Sequence, residues 1–220
     1  MPAPHHLYIH VPFCASKCNY CAFYSVACDA PDWNNYAAQI IGEIKYWAER
    51  IGRAPMPTIF FGGGTPSLMP TDTFARIMDA VRENFDVAPD AETTLESNPG
   101  TIDAGRLREF QRAGVNRLSV GVQSFDDDVL QFLGRRHSSA DARRLIAYAA
   151  DSGMRASGDF IYATPGQTVR DVENMCRGIL DMGLRHASLY ELSIEPGTPF
   201  AAQKIQSAPN DTAFDASDNI

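Results

Sequence analysis

The sequence predicts an α/β protein in which helices cover a parallel sheet. Short apolar runs alternate with longer amphipathic stretches along the 220 residues, and a strand–helix repeat of this kind is typical of parallel sheets. The hydrophobic content of 45% is enough for one globular domain with a full core. Two architectures fit the repeat: a closed or partial (β/α) barrel and an open doubly wound sheet.

The predicted strands are short and mainly apolar, as expected of strands that are buried on both faces. They cover residues 7–11, 58–61, 93–97, 117–122, 157–161 and 187–192. The predicted helices cover residues 33–51, 71–84, 104–113, 140–152 and 168–182, and a shorter helix covers 127–132. Gly114, Gly153 and Gly183 follow the ends of three helices, where glycine favours termination.

The end of the chain shows no such pattern. No sixth helix is predicted after the last strand, and residues 201–220 are rich in Ala, Ser, Asn and Asp without a period. This composition is typical of a loose tail or truncated linker, so the predicted barrel domain covers residues 1–200. We expect a chain that stops in this way to lack a C-terminal domain.

The charge and hydropathy of the chain exclude several classes of partner. A net charge of −8 argues against nucleic acid, because proteins that bind it carry a basic patch. No apolar run approaches the roughly 20 residues that span a bilayer. Residues 1–6 contain Pro and His where a signal peptide carries positive charge and then an apolar stretch. We therefore expect a cytoplasmic protein with no transmembrane segment and no nucleic-acid partner.

Three of the five cysteines form a cluster directly after the first predicted strand. Cys14, Cys18 and Cys21 have the spacing C-x3-C-x2-C, and an odd total of cysteines disfavours a disulfide framework. Thiolates bind iron strongly, and three of them on a four-iron cluster leave one iron without a protein ligand. An open coordination position is what a catalytic metal site requires.

Two other kinds of site use cysteines in this spacing. A structural zinc site needs a fourth ligand, for which Cys28 and His10 are the nearby candidates. A redox pair would use Cys18 and Cys21, but it would leave Cys14 without a role. The remaining two cysteines, Cys28 and Cys176, are interpreted as ordinary small residues.

Polar and glycine residues recur where the predicted strands end. They are the glycine run 62–65, Glu96, Asn98, Gln123 and Asp159. The carboxyl ends of parallel strands lie on one side of the sheet, and chemistry belongs there in both candidate architectures. Taken singly, the glycine run can be a tight turn and Glu96 can form an internal salt bridge. Their recurrence at successive strands favours a shared site.

The cysteine spacing after the first strand, with Tyr20 just before the last cysteine, resembles the radical S-adenosylmethionine (SAM) superfamily. The resemblance implies a partial (β/α)6 TIM-type radical SAM barrel with parallel strands. It also implies a [4Fe–4S] cluster on Cys14, Cys18 and Cys21, whose open iron is chelated by the amino and carboxylate groups of SAM. One electron from the cluster then cleaves SAM to methionine and a 5′-deoxyadenosyl radical, chemistry that belongs to the cofactors.

Further motifs narrow the resemblance to the oxygen-independent coproporphyrinogen III oxidase group, and within it to the haem chaperone branch. They lie at 10–14, 62–67, 96–100, 119–125, 134–137 and 190–200. The implied partners are SAM, haem or porphyrinogen, a haemoprotein acceptor and an electron donor. The implied SAM contacts are Tyr8, Tyr20, Gly63, Gly64, Thr65, Glu96, Gln123, Arg135, Asp159 and Ser193.

The sequence departs from the oxidases of that group at three places. Phe23 occupies the position of their fourth cysteine, and Asn98 replaces an expected aspartate. Ala163 and Thr164 stand where a Gly-Leu pair is usual. The first two departures favour a haem chaperone over the alternative, an enzyme that oxidatively decarboxylates porphyrinogen propionates.

Overall fold

The computed structural model describes residues 5–207, in which strands and helices alternate along almost the whole length. A short 3-10 helix, Pro66–Leu68, follows the fourth strand. In chain order the other elements are β1 (His6–Val11), β2 (Phe13–Cys14), β3 (Val26–Ala27), α1 (Trp33–Ile51), β4 (Pro55–Gly63), α2 (Thr71–Asn84), β5 (Asp86–Ser97), α3 (Ala104–Ala113), β6 (Arg117–Gln123), α4 (Asp127–Phe132), α5 (Ser139–Asp151), β7 (Arg155–Tyr162), α6 (Val169–Asp181), β8 (Ala187–Glu191) and α7 (Pro199–Ala202).

The six longer strands lie side by side in the order β1-β4-β5-β6-β7-β8, which is their order along the chain. Every neighbouring pair is parallel. A sheet that grows in one direction, with its crossover helices on one side, curls into a barrel wall. The prediction of a partial (β/α)6 TIM-type barrel is confirmed, and the doubly wound alternative is wrong because its strand order would reverse. β1 and β8 are the two ends of this half-barrel.

The outer face of the sheet is apolar and packs against the helices. Leu95 and Leu118 on neighbouring strands are fully buried. The ring centroid of Phe61 on β4 lies 4.5 Å from that of Phe74 on α2, which lies 5.3 Å from that of Phe110 on α3. Burial of aromatic side chains is the largest single contribution that a residue makes to such a core. These contacts hold α2 and α3 against the outside of the wall.

The inner face of the sheet carries hydrogen-bonded polar side chains. Arg117 donates to Thr94 Oγ1 over 3.4 Å and to Ser157 Oγ over 3.2 Å. Ser119 donates to Asp159 Oδ2 over 2.9 Å. Alternate residues of a strand face opposite sides of the sheet, so a polar inner row coexists with an apolar outer row. The interior of the half-barrel is therefore suited to a polar ligand.

The predicted helix bounds agree closely with the structure, and the start of α5 shows why. Ser138 accepts a hydrogen bond from the Asp141 amide, and Asp141 accepts one from the Ser138 amide in return. This reciprocal capping pattern is readable from sequence. β5 begins at Asp86, well before the predicted start at residue 93. The sequence pattern missed this first part of the strand because it is exposed and contains Pro89.

Within residues 5–207, no helix has both the length and the apolar character needed to cross a membrane.

A short helix, α7, follows the last strand, where the sequence predicted none. Thr198 Oγ1 accepts a hydrogen bond from the Ala201 amide over 3.2 Å, and Pro199 takes the first helical position. The Phe200 side chain is buried, with its ring 4.6 Å from that of Phe132. The predicted tail, 201–220, therefore begins inside α7, and residues 208–220 lie outside the described part of the chain.

Ala163, directly after β7, has a backbone conformation that normally belongs to glycine. Its φ angle is +61° and its side chain is almost fully buried. The left-handed region places Cβ close to the backbone and costs a non-glycine residue about 1–2 kcal/mol. This conformation gives a physical reason why glycine is usual at this position in the group that the sequence resembles.

We predict that Ala163→Gly raises the free energy of unfolding by about 0.5–1 kcal/mol. The relief of the left-handed conformation exceeds the extra backbone entropy that glycine gains in the unfolded chain. The measurement is the urea midpoint at constant m-value. The matched control is Ala149→Gly, a buried alanine inside α5, which we expect to lower the same free energy by about 1 kcal/mol. A loss of stability in both variants would contradict the prediction.

Candidate functional site

All the predicted site residues except Tyr8 line one cavity at the carboxyl ends of the strands. Its volume is about 380 Å³. A curled parallel sheet brings the loops after its strands to one rim, so residues far apart in sequence face a shared space. The predicted residues that line the cavity are Cys14, Cys18, Tyr20, Cys21, Gly63, Gly64, Thr65, Glu96, Gln123, Arg135, Asp159 and Ser193.

Backbone hydrogen bonds close the cysteine loop at its base, where its two ends come together. β2 and β3 form a short parallel pair at the base of the loop. The Val26 amide donates to the Pro12 carbonyl over 2.8 Å, and the Cys28 amide donates to the Cys14 carbonyl over 2.9 Å. Cys28 thus supports the base of the loop through its backbone. The residues between the two short strands form a compact loop with joined ends.

Two side chains hold the loop in shape from within. Lys17 Nζ donates to the Phe23 carbonyl over 2.7 Å and to Ser25 Oγ over 2.7 Å, which ties the first half of the loop to the second. Asn19 Nδ2 donates to the Phe132 carbonyl over 2.9 Å at the end of α4. The loop is therefore tied together between its two halves and attached near its middle to the end of α4.

Two of the three clustered thiols receive a hydrogen bond from another part of the barrel. Thr65 Oγ1 donates to Cys14 Sγ over 3.6 Å, and Arg135 Nη1 donates to Cys18 Sγ over 3.5 Å. Donors aimed at sulfur stabilise the thiolate, which is the form that binds metal. The surroundings of these two cysteines favour ligation over an inert buried thiol.

The third thiol, that of Cys21, is partly buried, as are the other two. Burial raises its pKa, and a hydrogen bond from the Phe23 backbone and the Lys17 ammonium oppose that rise. The neighbouring thiols of Cys18 and Cys14 add to it when they ionise. Metal binding replaces the proton of such a thiol, so loading of this site is coupled to proton release.

The arrangement of the cysteines fits a multi-iron cluster better than a single ion. All five cysteines are free of disulfides. Within residues 5–207, no three His, Cys, Asp or Glu side chains converge where one metal ion could sit. A structural zinc ion would require four converging ligands. Thiolates on a four-iron cluster bind different irons, so they border a common space without meeting at one point.

The glycine run at the end of β4 passes directly against the cysteine loop. A Cβ on Gly64 would lie 2.6 Å from the Phe13 carbonyl oxygen and 3.0 Å from Cys14 Sγ. A Cβ on Gly63, whose φ is +118°, would lie 2.6 Å from the His10 ring. The two distances of 2.6 Å are too short for any residue that carries a Cβ atom. The absence of side chains thus lets the backbone of β4 form the floor beside the cysteines.

Glu96 lies on the next strand, with its carboxylate against that backbone. Its Oε2 accepts a hydrogen bond from the Gly63 amide over 3.0 Å. Burial raises the pKa of Glu96 to about 7, the Gly63 hydrogen bond opposes the rise, and the Asp159 charge adds to it. The pKa of Asp159 is itself raised by burial, against a hydrogen bond from Ser119. A carboxyl group that ionises near neutral pH in a cavity is typical of a functional site.

Gln123 ends β6 in a strained conformation. Its φ is +66°, and the pairing of β6 with β7 is irregular between Val120 and Gln123. An irregularity of this kind redirects the side chains that follow it. Strained backbone is concentrated at binding sites, where the surrounding structure imposes it. Gln123 therefore combines a strained backbone with a position in the cavity wall.

Arg135 crosses the inner wall and joins three elements. Its Nη2 donates to the Gly121 carbonyl over 2.9 Å and to Asn98 Oδ1 over 2.5 Å, in addition to the contact with Cys18. Tyr20 lies beside it, and burial raises the pKa of that phenol, so it remains neutral. A fixed guanidinium is a suitable partner for a ligand carboxylate.

Tyr8 is the predicted contact that the structure does not bring to the cavity wall. Its side chain is 56% exposed and its ring stacks on Phe60. Its hydroxyl group lies 2.9 Å from His10 Nδ1, and His10 Nε2 lies 2.8 Å from the Tyr24 carbonyl of the cysteine loop. The Tyr8 ring also lies beside Glu96, since a Cβ on Gly62 would be 2.9 Å from that ring and 3.2 Å from the carboxyl carbon of Glu96. Tyr8 and His10 thus join the cysteine loop to the strand end next to Glu96.

Several cavity residues were absent from the predicted contacts. Ser119 and Gly121 border the cavity, as does Lys17 of the cysteine loop. A period of two along β6 is the signal that could have found the first two, since they precede Gln123 by four and two positions. Asn98, which the sequence placed at the shared strand ends without a role, also borders the cavity. Cys176 is exposed on α6, in agreement with its interpretation as an ordinary residue.

Three known proteins illustrate what the chain is similar to. The heme chaperone HemW of Escherichia coli is 37% identical over 215 residues, which are 96% of this chain and 57% of the relative. The mitochondrial radical S-adenosyl methionine domain-containing protein 1 of Bos taurus is 38% identical over 203 residues, 92% of this chain and 46% of the relative. The solved structure of coproporphyrinogen III oxidase (HemN) from E. coli, a radical SAM enzyme, matches with a TM-score of 0.82 at 28% identity, over 91% of this chain and 46% of the HemN chain.

The chain spans about half the length of these relatives.

The chain also matches the model of a protein family over most of its length. The model of the radical SAM superfamily matches residues 8–179, which include all three clustered cysteines, the glycine run, Glu96, Gln123, Arg135 and Asp159. On this match and on the half-barrel with its cysteine-lined cavity, the chain belongs to the radical SAM superfamily.

Proposed function

We propose that this chain is the SAM-binding half-barrel of a haem chaperone, which binds haem and delivers it to haemoproteins in the cytoplasm. The observation that carries the proposal is the 37% identity to a heme chaperone over 96% of the chain. It is supported by Phe23, which is 68% exposed at the cavity where the oxidases carry a fourth cysteine. The further partners are a haemoprotein acceptor and an electron donor.

Membership of the superfamily implies a [4Fe–4S] cluster and SAM. We infer that Cys14, Cys18 and Cys21 hold the cluster, since all three line the cavity and two receive hydrogen bonds at sulfur. When bound, the cluster supplies the electron that cleaves SAM reductively. The protein's share is to hold both groups next to each other at the carboxyl ends of the strands.

The cavity offers suitable partners for the amino and carboxylate groups of SAM. Glu96 and the backbone of Gly63 and Gly64 can accept and position its amino group, and Arg135 can pair with its carboxylate. Gln123 and Asp159 lie on the wall that follows, toward β8, and Ser193 borders it after that strand. Tyr20 and Thr65 complete the wall beside the cysteines.

The second candidate is oxidative decarboxylation of coproporphyrinogen III. The observation that favours it is the likeness in fold and sequence to coproporphyrinogen III oxidase. The two functions share the cluster and the SAM cavity, so neither of these features separates them. They differ in whether the porphyrin ligand leaves with its propionate groups changed.

One experiment separates the two candidates in the cluster-loaded chain. We expect haem to bind with a defined absorption spectrum and to pass to an apo-haemoprotein, while coproporphyrinogen III stays unchanged under anaerobic reducing conditions with SAM. Formation of vinyl products by chromatography would contradict the chaperone and favour the oxidase. Failure both to bind haem and to convert porphyrinogen would contradict both.

We predict that Cys18→Ala prevents formation of the cluster. After anaerobic reconstitution and reduction, the unaltered chain should show a [4Fe–4S] electron paramagnetic resonance signal that changes when SAM is added. The variant should lose this signal, because two thiolates do not hold a four-iron cluster that needs three. The matched control is Cys176→Ala, on the exposed surface of α6, which should keep it. A variant with a normal, SAM-responsive signal would contradict the assignment of Cys18.

We predict that Glu96 makes the cluster-free chain less stable as pH rises from about 4.5 to about 7. Below this window the carboxyl is protonated in both states. Within it the unfolded chain ionises Glu96 while the folded chain, with a pKa of about 7, keeps the proton. Unfolding therefore releases a proton, and the free energy of unfolding falls by up to about 3 kcal/mol across the window.

The measurement is urea unfolding at a series of pH values. Glu96→Gln should remove most of this fall, because its amide does not ionise. The matched control is Glu83→Gln at an exposed position of α2, which should keep the slope of the unaltered chain. An equal slope in Glu96→Gln and the unaltered chain would contradict the raised pKa.

A further inference from the structure

Asn98 joins the two side chains that donate hydrogen bonds to two different thiols of the cysteine loop. Its Nδ2 donates to Thr65 Oγ1 over 2.9 Å, and its Oδ1 accepts from Arg135 Nη2 over 2.5 Å. Thr65 in turn donates to Cys14 Sγ, and Arg135 to Cys18 Sγ. One carboxamide thus connects a chain of five residues that begins and ends at cysteine sulfur.

The guanidinium determines how the carboxamide is oriented. Arg135 can only donate, so the acceptor oxygen of Asn98 must face it and the amide nitrogen must face Thr65. Because Thr65 Oγ1 accepts that N–H, its own hydrogen is left to point at Cys14 Sγ. Asn98 therefore selects the direction in which the Thr65 hydroxyl donates.

The packing around this group shields the Thr65 hydroxyl from water. Its side chain is 3% exposed, so water does not compete for the hydroxyl. A Cβ at Gly121 would lie 2.9 Å from Asn98 Oδ1 and 3.2 Å from Arg135 Nη2, and Gly121 also accepts a hydrogen bond from Arg135. The glycine provides the space in which the carboxamide and the guanidinium meet.

We propose that Asn98 is a positioning residue that raises the reduction potential of the cluster by holding the hydrogen bonds of Thr65 and Arg135 on two of its thiolates. The inference rests on the proposal that Cys14 and Cys18 ligate the cluster. Reduction adds negative charge to the iron and its sulfur ligands, and hydrogen bonds to sulfur stabilise that charge. Asn98 acts through Thr65 and Arg135 and does not touch the cluster itself.

A carboxylate at position 98 would reverse the Thr65 hydrogen bond. It has the shape of the carboxamide but no donor, so the Thr65 hydroxyl would donate to it and leave Cys14. The added negative charge would also disfavour reduction. Asn98→Asp should therefore shift the midpoint potential in the negative direction for two reasons. One is the loss of the Thr65 hydrogen bond to Cys14, and the other is the added charge, which does not depend on Thr65.

The test is a double-variant cycle on the reconstituted chain without SAM, with the midpoint potential followed by electron paramagnetic resonance. Asn98→Asp and Thr65→Val should each shift the potential in the negative direction. In the Thr65→Val background the shift caused by Asn98→Asp should be clearly smaller, because the hydroxyl that donates to Cys14 is already absent. Asn98→Ala, which adds no charge, should show a smaller negative shift that also diminishes in the Thr65→Val background.

The matched control is Asn116→Asp. The Asn116 carboxamide accepts from the Thr93 amide and donates to the Ala91 carbonyl, before β6 and at the opposite end of the strands. This variant should lower the melting temperature, as loss of a structural contact does, and leave the midpoint potential unchanged. A shift as large as that of Asn98→Asp would overturn the proposal, because the effect would not depend on place.

The outcomes separate this inference from the function on which it rests. An unaltered chain that forms no cluster would overturn the cysteine assignment and the inference with it. A cluster whose potential responds to Asn98→Asp and Thr65→Val by fully additive shifts would overturn the inference alone. If both Asn98 variants fail to hold a cluster while Asn116→Asp holds one, Asn98 is required for assembly, and its proposed role in setting the potential is wrong.

Discussion

The parallel pairing of strands in chain order is the constraint on which the rest of this structure depends. Each strand adds to the same edge of the sheet, so the carboxyl ends stay on one side and curl toward a common rim. The register sets Glu96 beside Ser119, and Gly158, next to Asp159, beside Val120. Reversal of a single strand would move its polar end to the opposite rim and divide the site.

Close backbone approach is the second requirement, and it explains the glycines better than chain flexibility does. Gly64 lies so near Cys14 that any side chain would displace the cysteine loop, and Gly121 lies equally near the group formed by Asn98 and Arg135. Without a Cβ at Gly64, Thr65 comes within hydrogen-bond reach of the Cys14 thiol. Without a Cβ at Gly121, Arg135 has the space to reach the Cys18 thiol. The geometry of the cysteines therefore depends on residues in two other strands.

The inner wall of the half-barrel combines high polarity with full hydrogen bonding. Within the described residues, no buried side-chain nitrogen or oxygen lacks a partner. The carboxyl groups of Glu96 and Asp159 still have raised pKa values, since burial disfavours their charge. A cavity that holds such groups stores unfavourable electrostatic energy in the folded chain, and a cationic ligand group would relieve it. We infer that binding energy and folding stability are opposed at this site.

The sequence by itself determined the class of fold, the cluster of three cysteines and most of the cavity residues predicted around it, because these depend on local patterns. Periodicity and capping residues act within a few positions, so the bounds of α1 to α4 followed directly. Only the tertiary structure decided that the Tyr8 hydroxyl lies against His10 and that Asn98 links two thiol donors. Those facts depend on how neighbouring strands bring distant side chains together, and no local pattern in a single chain specifies them.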